Sequence, residues 1–455
     1  MRQTSILVAF LGLFAAALLA VAGLGASTAA DLNQAIAQDG VNSALVSRLR
    51  ANGPSALDEM FQKRSELKAA VATERDEGQM RSLNQKIARL DEIIDQVGMQ
   101  RYCSQSRLYW FTDFDEALKA AQSTGKPILS LRMLGKLNED YSCANSRFFR
   151  TTLYANADIS SYLREHFILH WKSVRPVPKV TIDFGDGRRL ERTLTGNSIH
   201  YILTPEGEVV DALPGLYGPK AFLEQISNGH DLAKRVARMQ TGERQQALAA
   251  HHQIQVTRLA NAWQADLLRA GLSSATAPKL PAKGATAAPV PPANVAAAVA
   301  RPKMDVEAPL VRGALPLAAD PMQLDDDEVW QRIAALHADD ARLDQSSRDL
   351  IRRQNPTAAT AVPLAETKRK VEDPLVRMVR TLEESIAVDT VKNEYRLHSE
   401  IHRWLAEIQA TTAEVETLNE RVYAELFLTP SSDPWLGLAP ADVYTALPNG
   451  GVARK

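Results

Sequence analysis

Cysteine is scarce in this chain. Of 455 residues only two are cysteine, Cys103 and Cys143, which excludes a disulfide-dense scaffold and a four-cysteine zinc site and leaves room for one bridge. Aromatic residues are also few, at 6%, while alanine is abundant; that balance favours helices built from small residues over an aromatic-cored β-sandwich. No charge of one sign prevails. The 53 Lys and Arg against 54 Asp and Glu exclude a globally basic nucleic-acid coat and a strongly acidic tail protein. Neither a Gly-rich phosphate loop with its lysine nor a Gly-x-Ser-x-Gly nucleophile elbow occurs, so no nucleotide and no other cofactor is expected. The short basic cluster Lys368-Arg369-Lys370 reads as solvated charge, and no nucleic-acid partner is expected from it. Asp183, Asp186 and Gly187 lack the ligand series of a calcium loop and read as turn chemistry.

What is present divides along the chain. In residues 1–30, Arg2 precedes an uncharged run from Ile6 to Leu24 and the small residues Gly25 to Ala30, the pattern of an export signal cut near Ala29 or Ala30. The run approaches the roughly 20 residues needed to cross a bilayer, so a retained inner-membrane anchor is the alternative. No cysteine follows it to carry a lipid. An exported chain would lie in the periplasm or be secreted, where disulfides are permitted. Residues 31–103 carry Leu57, Met60, Phe61 and then Leu83, Ile87, Leu90, Ile94 and Val97 at helical spacing, broken at Asn52-Gly53-Pro54. A helical hairpin is the simplest structure.

In residues 104–229 the period changes. Asp113 to Ser123 reads as an amphipathic helix ended by Gly125, followed by the apolar run Ile128 to Leu134. Phe167 to Trp171 is a further short strand. Val180 to Phe184 and Arg188 to Leu194 pair through Gly185-Asp186-Gly187, and Ser198 to Leu203 pairs with Glu208 to Leu213 around Thr204-Pro205-Glu206-Gly207. A helix from Pro219 to Ile226 closes the region. Helices alternating with strands imply an α/β sandwich around a mixed sheet. Residues 230–270 return to helical spacing, and 271–323 form an Ala/Pro-rich linker. Residues 324–428 are helical again, starting at Asp325-Asp326-Asp327-Glu328, whose charges suit a helix N-terminus. They include a long, nearly heptad amphipathic pattern from Pro374 to Leu428 that needs a partner. The tail, 429–455, mixes Pro and Gly with Trp435, Leu436 and Tyr444 and is expected to pack.

The central region resembles the thioredoxin-like family, over about residues 110–226. The resemblance rests on Trp110, Glu116-Ala117-Leu118, Gly125-Lys126-Pro127 and the strand from Ile128. It continues through Cys143-Ala144-Asn145-Ser146, then Ile159, Leu163 and Phe167-Ile168, and ends with Ile199 to Leu203, Pro205-Glu206-Gly207 and Gly215. It implies a thioredoxin-like sandwich with helical flanks, and thiol–disulfide exchange in which a first thiolate attacks and a second resolves the mixed disulfide. Here Ser146 stands where the resolving cysteine belongs, Ser198 stands where the family has a cis-proline facing the nucleophile, and Gly135 to Ser142 lengthens the loop. The motif is thus a degenerate Cys-x-x-Ser.

Two roles for Cys143 stay open. Just before a helix its thiol would meet unpaired N–H groups and the positive end of the dipole, which favours a nucleophilic thiolate, with Cys103 as a resolver from outside the motif. Alternatively Cys103 and Cys143 form a structural disulfide, or both are inert thiols. The function expected is therefore either thiol–disulfide exchange on client proteins through a single nucleophile, or a non-catalytic scaffold binding proteins through the central domain or the long C-terminal helix. A metal-binding helical module is a minor alternative: Glu394, His398 and His402 recur at four-residue intervals on one helix face, a spacing that lets two imidazoles and a carboxylate share an ion.

Overall fold

The structure, a computed structural model, describes residues 30–37, 42–193, 196–272, 322–355, 374–407 and 414–436. The export signal or anchor, nearly all of the expected linker, the basic cluster at 368–370 and the tail beyond Leu436 lie outside the described residues. Among the described residues no helix is long and apolar enough to cross a membrane. The chain forms two compact units, Met1–Tyr109 and Trp110–Lys455.

The N-terminal unit is helical. A first helix (α1, 30–37) precedes α2 (Ser43–Arg50), α3 (Ser55–Thr73), α4 (Glu77–Gly98) and the single turn α5 (Cys103–Ser106). Asn42 and Asp76 cap α2 and α4 by accepting from backbone N–H groups of the first turn. The pair α3–α4 is the hairpin that the spacing implies; the unit is larger because α1 and α2 add Leu32, Leu45 and Leu49 to the core of Leu57, Met60, Leu90, Ile93, Ile94 and Val97. Arg64 clamps Asp91 across the hairpin with a second contact of 3.0 Å.

After α4 the chain turns sharply, with Met99, Tyr102 and Arg107 all at positive φ (53°, 62° and 58°), conformations that cost a non-glycine residue about 1–2 kcal/mol each. The carboxylate of Asp95 holds this turn by accepting from Tyr102 N at 3.1 Å, Cys103 N at 2.8 Å and the Arg101 guanidinium at 3.0 Å. Asp95→Ala strands buried N–H groups and is expected to cost about 1–3 kcal/mol, read as a lower midpoint in urea. A midpoint that does not move would show that the turn is held by other contacts.

The C-terminal unit is mixed α/β. Its main sheet has five strands in the order β1-β3-β2-β6-β7, from β1 (Trp110–Phe111), β2 (Ile128–Leu134), β3 (Ile168–Arg175), β6 (Ser198–Leu203) and β7 (Val209–Pro214). β1 and β2 run parallel to β3, whereas β6 is antiparallel to β2 and β7. Parallel neighbours require crossover helices. These are α6 (Phe114–Thr124), capped by Asp113 and ended by Gly125 at φ 69°, and α7 (Ala144–Phe148), which passes through a π-helical stretch (Phe149–Leu153) to α8 (Ala157–His166). β4 (Lys179–Asp183) and β5 (Arg189–Thr193) form a separate hairpin between β3 and β6. α9 (Pro219–Val236) follows β7, with Pro at its start where a missing N–H costs nothing, and extends well past Ile226.

Side chains alternate across each strand. Ser130 and Tyr201, opposite each other in β2 and β6, point to the face covered by α6 and by the helix Val415–Arg421. His200 and Ile202 point to the other, where Phe222 and Gly229 of α9 meet them. Beyond β7 lie α10 (Thr241–Arg269), α11 (Met322–Leu336), a 3₁₀ turn (Ala338–Ala341) and α12 (Gln345–Gln354). α13 (Pro374–Lys392) continues through a second π-helical stretch (Asn393–His398) into α14 (Ser399–Leu405). The last pieces are α15 (Val415–Arg421) and a third π-helical stretch (Val422–Leu426). The partner demanded by the amphipathic pattern is intramolecular: Trp263 of α10 stacks on Trp330 of α11 (5.0 Å) and on Tyr395 (5.1 Å).

Candidate functional site: a buried thiol and a histidine cluster

Cys143 lies at the start of α7, as the sequence implies, with its N–H bonded to Leu134 O at 3.1 Å, so the lengthened loop returns to the end of the central strand. Its sulfur is fully buried. The thiol donates to Ser146 Oγ at 3.3 Å, and that hydroxyl is shared with Ser142 Oγ (2.7 Å) and Cys143 O (2.8 Å). Arg147 turns to Ser142 O and to Thr193 Oγ1 (2.8 Å). The phenols of Tyr154 and Tyr423 stand beside the thiol; burial, and then Cys143 itself, push both well above their ordinary range.

The disulfide expected between Cys103 and Cys143 is not formed: both are free, buried thiols, one in each unit. Cys103 donates to Leu108 O at 3.3 Å, and burial together with the neighbouring Asp95 pushes its thiol well up, away from thiolate chemistry. Ser198 begins β6 opposite Met133 and takes Gly215 N–H on its carbonyl at 2.8 Å. Its hydroxyl is buried without a hydrogen-bond partner, and no described peptide bond is cis.

The segment 414–436 seals this end of the sheet. Glu416 of α15 meets Arg132 at 2.9 Å and Lys172 at 3.1 Å, and Asn419 accepts from Tyr201 at 3.2 Å. Tyr423 donates to Asn197 O at 3.1 Å, and Asn197 Nδ2 donates to Thr429. Arg175 donates to the carbonyls of Thr429, Pro430 and Asp433. Sequence reasoning missed Arg132. The signal was present as an arginine inside an otherwise buried strand, Ile-Leu-Ser-Leu-Arg-Met-Leu, where a cation requires a partner.

No family model, no curated protein and no solved structure matches this chain.

The second constellation gathers at β7. Among the described residues Asp211, His398 and His402 place ligand atoms within 4.8 Å of one another, whereas Glu394, expected as the third ligand, stands behind His398. Asp211 Oδ1 is 3.0 Å from His398 Nε2 and 3.8 Å from His402 Nδ1. His398 Nδ1 faces Glu394 Oε2 at 3.0 Å, and Glu394 also accepts from Tyr217 and Gln225. His252 of α10, not singled out in the sequence, sends Nε2 to Val210 O at 3.0 Å and Nδ1 to His402 Nδ1 at 2.9 Å. Burial opposes charge on His398, but the carboxylates at both ring nitrogens outweigh it and lift its pKa to about 10. Burial also acts against the Asp211 carboxylate, yet His398 and His402 hold it well below the ordinary range. Burial and then charged His398 depress His402, and burial lowers His252 to about 4.

Proposed function

We propose that the chain is an exported thioredoxin-like protein that works as a scaffold or binding module for protein partners, rather than as an independent thiol–disulfide oxidoreductase. The strand order, with β1, β3 and β2 parallel and β6 and β7 antiparallel, and Cys143 at a helix start favour the thioredoxin-like assignment. The export reading draws on the N-terminal pattern, and periplasmic or secreted placement follows from it.

One observation carries the functional choice: the Cys143 sulfur is completely enclosed, and the group three residues on is a hydroxyl. Exchange needs a thiolate that an incoming disulfide can reach in line, and then a second thiol to release the product. Ser146 can accept a hydrogen bond but cannot attack sulfur, and the buried thiol presents no surface for an incoming disulfide to reach. An open groove of about 500 Å³ between α12 and α13, lined in part by Phe148, Ile351, Met378 and Leu382, offers apolar surface of the kind a binding module uses.

Thiol labelling tests this directly. In the folded chain Cys143 is expected to react with a maleimide at least about tenfold more slowly than in urea, because reaction waits for local opening, with the modified peptide located by mass spectrometry. Insulin reduction is expected to be absent. Disulfide turnover that disappears in Cys143→Ala would overturn the scaffold reading and restore the catalytic one.

A further inference from the structure

We propose that Asp211, His398 and His402, whose ligand atoms lie within 4.8 Å of one another, bind one divalent first-row transition ion of the zinc class. The inference is independent of the thiol reading, since none of these residues belongs to the Cys143 pocket.

The distances come first. A tetrahedral ion with bonds of about 2.0–2.1 Å keeps its ligand atoms about 3.3 Å apart. Around this cluster the separations are 3.0 Å (Asp211 to His398), 3.8 Å (Asp211 to His402) and 2.9 Å (His402 to His252). His252 Nδ1 touches His402 Nδ1 but is not among the ligand atoms that all lie within 4.8 Å of one another, so it neighbours the site instead of completing it.

The surroundings match as well. Metal-bound histidine almost always passes its other ring N–H to a carboxylate or a carbonyl, which fixes the ring and frees the opposite lone pair. His398 is backed by Glu394 at 3.0 Å. Glu394 is in turn held by Tyr217 and Gln225, a second tier that a chance pair of helical histidines lacks. With neutral imidazoles, Asp211 in the cluster and Glu394 behind it supply negative charge toward a doubly positive ion, Glu394 sharing its own with Arg258 at 3.9 Å. Two imidazoles and one carboxylate oxygen, without thiolate, suit zinc-class metals rather than magnesium or calcium. The three ligands are all buried, so the ion would join β7 to the π-helical stretch and α14 structurally, with His252 of α10 packed behind His402.

The test uses the tag-free full chain, stripped with a chelator and titrated with Co²⁺ and then Zn²⁺. The expected result is one Co²⁺ per chain with the intense visible bands of a four-coordinate ion, displaced by Zn²⁺, and a rise in melting temperature with either metal. X-ray absorption of the zinc form should find nitrogen and oxygen neighbours, at least two of them imidazole, and no sulfur. His402→Gln and Asp211→Asn should abolish the bands, while Glu394→Gln should weaken binding about 10- to 100-fold. A folded wild-type chain that retains no Co²⁺, a sulfur neighbour, or unchanged bands in a folded His402→Gln variant would overturn the assignment. The wild-type spectra decide even if Asp211→Asn does not fold.

Discussion

Trp110→Ala is expected to destabilise the C-terminal unit by about 3–5 kcal/mol, the cost of emptying a fully enclosed aromatic site. Trp110 opens β1, is completely buried, and pairs with Leu169 of β3. Its ring lies 5.1 Å from Tyr154, whose hydroxyl bonds His200 at 2.7 Å while Phe149 stacks on the same imidazole at 4.6 Å. The edge strand is only two residues long, so ladder hydrogen bonds contribute little there and the indole is what fastens it. Far-UV circular dichroism in urea measures the loss without depending on indole fluorescence. A change below about 1 kcal/mol would mean that the face collapses around the gap or that the edge is fastened elsewhere.

Acid should unfold the C-terminal unit before the N-terminal one. His170 and His200 are each lowered to about 3: His170 by burial and then by Arg132, His200 by burial alone. Around His170 stand Ser130, Arg132, Lys172, Glu416 and Asp113; around His200 stand Tyr154, Phe149 and Phe222. Both imidazoles are neutral in the folded protein at neutral pH, whereas in the unfolded chain they protonate near pH 6.5. Between about pH 6.5 and 3 the unfolded state therefore binds more protons, and stability falls as pH falls. The loss is on the order of 4–5 kcal/mol per histidine if carried to completion.

Asp95 in the N-terminal unit works with the opposite sign. Burial raises its carboxyl to about 6, so the folded state binds the extra proton and that unit gains stability as pH drops from about 6 towards 4. Urea titrations from pH 7 to 4, followed by hydrogen exchange in each unit, should show the two diverging. His200→Gln should remove about one proton from the acid limb of the C-terminal unit. Parallel loss of protection in both units, or an unaltered limb in the variant, would contradict this account.

How legible was this protein? Local order could be read well. The alternation and turn chemistry around Gly185-Asp186-Gly187 and Pro205-Glu206-Gly207 place both antiparallel pairs where they occur, because a hairpin brings together neighbours in the chain. Asp113 and Gly125 bound α6 at both ends for the same reason. Reading the start of α11 from Asp325 missed its first turn, since the helix begins at Met322; terminal turns are where sequence signals are weakest. Cys143 stands just before a helix, as the resemblance implies, yet its full burial was not legible, nor was the docking of Glu416 and Asn419 on Arg132 and Tyr201, for nothing local states which distant helix will cover a strand end.

The amino-acid order by itself determined the elements, the two-cysteine limit and the chemistry of Ser146, because periodicity, capping and side-chain reactivity are properties of short stretches. Tertiary structure alone decided that Cys103 and Cys143 remain separate free thiols and that Glu394 backs His398 while Asp211 gathers with His398 and His402. It also decided that Asp211 meets His398 across 187 positions. Such meetings depend on which apolar faces are buried together, and burial is a property of the whole packed chain that no short window contains.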